Sequence, residues 1–258
     1  MLCDFTRRGR HLLHCKNIST TKYKTMSLFY APDIEKTWEL PEEEAAHCLR
    51  VLRLGVGDQL EVTDGKGKLF KMSITSVTGK RCKVEPLETT ETPKGWQGCL
   101  TLAIAPTKNM DRMEWLAEKA TEIGWDKVVF LNCRFSERKV IKTERIERIV
   151  VSGMKQSLKF NKPIVEEMTD FERFIKAEHK GAKFIAHCYE GEKQRLFDSL
   201  KTGEDATILI GPEGDFSKEE VEKAIKAGFT PVSLGKARLR TETAGLVACH
   251  TFIMKNEL

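Results

Sequence analysis

The rhythm of apolar and polar positions changes once along the chain. From Met26-Ser27-Leu28-Phe29-Tyr30, which reads as the start of a fold, to about residue 92 the period is two. Gln59-Leu60-Glu61-Val62-Thr63 alternates, Asp64-Gly65-Lys66-Gly67 turns, Leu69 to Thr75 alternates again, and Arg81 to Pro86 makes a third run. One helix is predicted here, Pro41 to Leu52, which opens with Pro and three glutamates as a helix N-terminus should. The polar stretch Glu88 to Gly95, punctuated by Pro93 and Gly95, reads as a linker. A small β-rich domain over 26–92 is the expectation.

From Cys99 onward, strand and helix patterns alternate. Leu100 to Ala105, Lys127 to Leu131, Ala182 to Ala186, Thr207 to Ile210 and Val232 to Leu234 are short apolar runs of the buried parallel kind. Arg112 to Ile123 places Met113, Leu116, Ala120 and Ile123 on one face. Thr143 to Leu158, Ser217 to Ala227 and Thr241 to Met254 are further helices. The alternation predicts an α/β domain with a parallel sheet over 96–258.

Composition adds little until it is localised. The 258 residues carry a net charge of +5, but residues 1–25 hold six bases and one acid, and the remainder balances at 37 of each sign. That leader suits a mitochondrial transit peptide or an upstream start read in error, and it is set apart from the fold. Eight cysteines without a C-x-x-C pair point to reduced thiols rather than disulfides or a metal site. No apolar run is long enough for a membrane helix. The one strong local charge lies between Arg134 and Lys162, where nine bases face three acids. Arg138, Lys139, Lys142, Lys155 and Gln156 are taken from it as RNA contacts. Arg50 and Arg53, three apart on the small domain's helix, form a second basic pair.

Two loops hold the candidate chemistry. Ile210-Gly211-Pro212-Glu213-Gly214 leaves a strand and enters a helix whose start is marked by Ser217 and Glu220, a capping box. It reads either as a tight turn or as a loop whose glycines admit a ligand close to the backbone. No phosphate-loop motif occurs, and Glu213 would repel a phosphate. Leu234-Gly235-Lys236-Ala237-Arg238-Leu239-Arg240 brings three cations to a helix N-terminus. An exposed charged turn and an anion site for an RNA phosphate both fit it.

These loops, together with Leu239-Arg240-Thr241-Glu242-Thr243-Ala244, resemble the knotted SPOUT methyltransferases, and in particular the RsmE family of bacterial small-subunit rRNA uridine-N3 methyltransferases. His47-Cys48-Leu49-Arg50-Val51-Leu52-Arg53, Lys119-Ala120-Thr121-Glu122-Ile123-Gly124 and Gln156-Ser157 carry the likeness across the chain from Met26. The resemblance implies a PUA-like β-barrel followed by a SPOUT sheet with a trefoil knot. It also implies a homodimer, cytoplasmic unless the leader is a transit peptide, acting on small-subunit (16S) ribosomal RNA. It implies S-adenosylmethionine held by Ala186, His187, Ile210, Gly211, Pro212, Glu213, Gly214, Leu234, Gly235, Leu239 and Thr241. Asp215 stands where the family often has Gly. The expected reaction needs a uridine with an unpaired Watson–Crick edge. Arg240 is expected to orient the uracil or a phosphate and to stabilise an imide anion, and Glu242 either to accept the N3 proton or to serve the helix N-terminus. A non-catalytic RNA-binding module of the same fold is the competing reading.

Overall fold

In the computed structural model, residues 27–257 are described; the leader at 1–25 lies outside them. The first sheet has four strands in the order β1-β2-β3-β4: β1 (Leu28–Tyr30), β2 (Gln59–Thr63), β3 (Lys68–Thr78) and β4 (Arg81–Glu91). Alternation works as predicted. Leu60, Val62, Phe70, Met72, Ile74, Cys82 and Val84 all turn inward onto one core. Helices α1 (Ile34–Thr37) and α2 (Glu42–Ala46) cover that core through Ile34 and Ala45. The segment between them pairs with β4, Leu40 N–H donating to Cys82 O and Val84 N–H to Trp38 O. One short stretch of chain therefore links β1 to the opposite sheet edge.

Two expectations need correction here. β4 runs to Glu91, with Thr90 opposite Leu69, so the first half of the expected linker is strand. The helix expected through Leu52 is regular only to Ala46, continues as a π-helical turn over His47–Val51, and ends before Arg53, whose φ is +56°. Arg50 and Arg53 are both exposed, but they do not share a helix face, because only one of them is on the helix.

The second sheet has seven parallel strands in the order β7-β6-β5-β10-β8-β11-β9. Along the chain these are β5 (Leu100–Ile104), α3 (Met110–Ile123), β6 (Lys127–Asn132), α4 (Thr143–Gln156), β7 (Ile164–Asp170), α5 (Phe171–Lys176), β8 (Ala182–Ala186), β9 (Gln194–Arg195), α6 (Leu196–Ser199), β10 (Ala206–Ile210), α7 (Lys218–Lys226), β11 (Thr230–Ser233) and α8 (Thr241–Asn256). The central strands are mostly apolar because both faces are covered. Leu102, Ile104, Ile208 and Ile210 face one core with Met113, Leu116 and Phe252, while Ala103, Leu209 and Ile185 face the other with Phe171 and Val221. The edge strands β7 and β9 escaped the sequence reading. β7 carries Glu166 and Glu167 and buries no residue fully, so it has no apolar run to find. No described helix is long and apolar enough to cross a membrane.

The two sheets meet at the β2–β3 hairpin. Gly67 N–H donates to Phe160 O, Lys162 N–H to Gly65 O, and Lys155 on α4 pairs with Glu44 on α2 at 2.6 Å.

Candidate active site

Parallel strands in register deliver their exits to one sheet end. Ile104 lies opposite Ile210, Ile210 opposite Ala186, and Ala186 opposite Val232. Residues far apart in sequence (Ala186 and His187, Ile210 to Gly214, Leu234 and Gly235) thus emerge side by side. From β5 the chain proceeds to β6 on one side, and from β10 to β11 on the other. Such a reversal opens a crevice at the carboxyl ends of the strands, where α/β sheets bind ligands.

The loop after β10 is tightly built. A Cβ on Gly211 would come within 3.0 Å of Phe216 N and 3.1 Å of its ring, so any other residue there would push the loop apart by a few tenths of an ångström. Asp215 N–H donates to Pro212 O at 2.9 Å, and Asp215 itself sits at φ +65°, a left-handed conformation that Asp tolerates better than most residues. Its carboxylate accepts from Phe216 N–H at 2.8 Å and from Cys188 N–H at 2.7 Å, which ties this loop to the exit of β8. Asp215 thereby staples the two loops together. Glu213 accepts from Lys108 N–H at 3.2 Å, and the predicted capping box of Ser217 and Glu220 is present in both directions.

His187 is half-buried, with Nδ1 enclosed and unpartnered. Burial, then the neighbouring Lys193 ammonium, pushes its pKa below the ordinary imidazole value, and Asp215 opposes this only in part. The ring is neutral at pH 7.

The loop after β11 is open. Gly235 has φ +134°, and a Cβ there would meet nothing within 4 Å. Lys236, Arg238 and Arg240 are exposed, and none makes an ion pair or side-chain hydrogen bond among the described residues. Arg240 is the residue before α8, and its carbonyl accepts from Ala244 N–H at 2.8 Å. Behind it, a Cβ on Gly245 would come within 3.0 Å of Ile104 and 3.1 Å of Leu116, so the first turns of α8 seat directly on β5 and α3. This close approach fixes where Thr241 and Glu242, both buried, face the sheet end.

Glu242 Oε1 lies 3.8 Å from Arg112 Nε, and Oε2 is enclosed with no partner. Arg112 also stands 3.9 Å from Glu213. Arg112, Trp115, Arg240, Glu242, Asp111 and Thr243 line a cleft of about 520 Å³. Another cleft, of about 460 Å³, lies on the small domain between Ala31 and Glu42 and holds none of the site residues.

The basic run on and before α4 looks different in three dimensions than in sequence. Arg138 donates to the carbonyls of Thr107 and Lys108 at 3.2 and 2.6 Å, and Lys139 to Asn132 and Cys133 O. Arg134 pairs with Glu219, Arg145 with Glu114, Lys155 with Glu44 and Lys162 with Glu147. Counting acids only within the run left nine bases facing three; other elements bring three more carboxylates, and carbonyls take further donors. Among the expected RNA contacts of this run, Lys142 and Gln156 are the exposed ones without such a tie. Arg112 and Trp115 were missed by sequence reasoning. The available signal was a tryptophan standing off the apolar stripe of α3.

A parallel sheet with its candidate site at the strand exits, joined to a small β-rich domain, fits the framework of an RNA methyltransferase. The RNA methyltransferase domain family matches residues 96–253, and the RNA methyltransferase PUA domain family matches 40–87. Ribosomal RNA small subunit methyltransferase E of Rickettsia conorii is 30% identical over 217 residues, which is 81% of this chain and 86% of that protein. A "probable rRNA-methyltransferase" from Porphyromonas gingivalis superposes with a TM-score of 0.85 at 48% identity, covering 89% of this chain and 98% of the other. Ribosomal RNA small subunit methyltransferase E from Neisseria gonorrhoeae, solved bound to S-adenosyl methionine, gives 0.78 at 26% identity, covering 89% and 97%. The chain belongs to the ribosomal RNA small subunit methyltransferase E family.

Proposed function

We propose that this protein transfers a methyl group from S-adenosylmethionine to N3 of a uridine in small-subunit ribosomal RNA. The observation that carries the reading is the enclosed, unpartnered Glu242 oxygen beside two arginines at the mouth of the strand exits. The cofactor bound in the N. gonorrhoeae relative and the small-subunit substrate named for the R. conorii relative support it. The strand exits suit that cofactor: space stands open at Gly235, and the buried His187 Nδ1 lacks a partner. Ala186, His187, Ile210 to Gly214, Leu234, Gly235, Leu239 and Thr241 would hold it. When bound, it supplies an electrophilic methyl whose bonding electron pair stays with the departing sulfur.

The protein's own part is alignment and charge. The strand exits fix the position of donor and acceptor, which is where effective molarities on the order of 10⁵–10⁸ M arise. The Glu242 carboxylate takes the N3 proton, and the Arg240 guanidinium offsets the charge left on the imide. The small domain with Arg50 and Arg53, and Lys142 on the large one, contact the RNA backbone.

We also take the division at 92–96 to separate two folding units, and the large unit to be knotted and to work as a dimer in the cytoplasm. The knot is supported by α8: it follows β11, three places from β5 in the sheet, yet packs on β5, β10 and α3.

Mass mapping of small-subunit rRNA from cells lacking the protein tests the activity. One uridine methyl group should be lost, restored by the wild-type gene and not by Glu242→Gln. An unchanged methylation map, with no saturable binding of S-adenosylmethionine, would favour a non-catalytic RNA-binding module.

A further inference from the structure

The large domain has three tryptophans, and packing explains two of them. Trp96 and Trp125 are buried and donate their indole N–H to Asp126 and Thr121. Trp115 is 42% exposed, and its N–H has no partner among the described residues. It stands two positions from the buried Met113, so helical periodicity turns it away from the core. It does not lie on open surface, however. It forms a wall of the cleft that holds Arg112, Arg240 and Glu242. An uncovered aromatic face beside convergent polar groups is the arrangement that stacks an unpaired base.

The polar groups match one base edge. Arg112 forms long ion pairs with Glu242 at 3.8 Å and Glu213 at 3.9 Å, so its charge is balanced while its N–H groups make no hydrogen bond among the described residues. The Glu242 carboxylate, whose side chain keeps 9% exposure, is the acceptor on the cleft wall, and Arg240 brings further free donors. Two donors and an acceptor complement the Watson–Crick edge of uracil, which shows two carbonyl oxygens around N3–H. Cytosine, with an acceptor at N3, would set a lone pair against the Glu242 carboxylate.

Resting on the uridine-N3 reading, we infer that Trp115 stacks the extruded base and that Arg112 donates to one of its carbonyl oxygens, which makes both residues determinants of base specificity.

The test uses small ribosomal subunits from cells lacking the protein, with S-adenosylmethionine affinity and sedimentation measured on the same variants. Trp115→Ala should raise KM for subunits by about 5- to 150-fold, the range for losing one base–aromatic stack. Cofactor affinity and sedimentation should not move, and Trp115→Phe should recover most of the loss. Arg112→Gln should lower kcat/KM without weakening the cofactor. An unchanged KM in Trp115→Ala overturns the inference, and so does a changed sedimentation coefficient, which would assign the indole to a subunit interface. Wild-type protein that binds subunits in a Trp115-dependent way but transfers no methyl group would sink the methyl-transfer reading and leave the stack standing.

Discussion

Two clusters of positive charge on the large domain look alike in sequence and differ in structure. The run from Arg134 to Lys162 has nine bases, and most of them are already engaged: by Glu219, Glu114, Glu44 and Glu147, or by the carbonyls of Thr107, Lys108 and Cys133. The loop from Lys236 to Arg240 has three, all exposed and without partners among the described residues. Density of charge along a chain is therefore a poor guide to binding. A cation that a neighbouring element has neutralised serves the fold, and a cation held in solvent beside a cleft remains available to a ligand.

The sharpest way to break this comparison is Arg240→Ala. It should slow methyl transfer by about 10²–10³-fold, the usual loss for one donor aimed at developing charge, with cofactor affinity nearly unchanged. Single-turnover transfer and calorimetric titration measure the two; an unaltered rate would move Arg240 into the structural class. Next in size is Lys155→Ala. It leaves the largely enclosed Glu44 carboxylate without its cation at the joint between the sheets. Urea unfolding should show a loss of about 2 kcal/mol, between the values for exposed and buried pairs. A loss of RNA affinity with stability intact would return Lys155 to the binding face where sequence placed it. The smallest effects are read from salt dependence. Lys236→Gln and Arg238→Gln should each lower the slope of log affinity against log salt by about 0.7 if each meets a phosphate of unpaired RNA. Arg134→Gln, already paired with Glu219, should leave that slope where it is.

Much of the fold was legible because burial imposes periodicity. β2, β8 and the Ser217 cap of α7 stand where alternation, a short apolar run and the capping box placed them. β7 and β9 were not, because an edge strand with one solvated side has no apolar run to mark it. The end of the first helix was misjudged because a π-helical turn keeps helical composition while changing the phase of its side chains. The two site loops were visible through their glycines. Their third partner, the exit of β8, was assigned by family likeness, and the register of β10 with β8 brings it alongside.

By itself the sequence determined most of the core elements and the chemical character of the two loops. Each of these follows from interactions within a few residues: alternation, capping and turn conformation. The tertiary structure alone decided which charges are free and which carboxylate is enclosed. It decided too that Asp215 staples two loops, and that Arg112 and Trp115 share a cleft with Glu242. Those outcomes depend on which strands pair and how closely α8 seats on β5, contacts between residues well separated along the chain. Electrostatic and stacking interactions act through space, so their partners are set by the fold and leave no spacing in the chain to read.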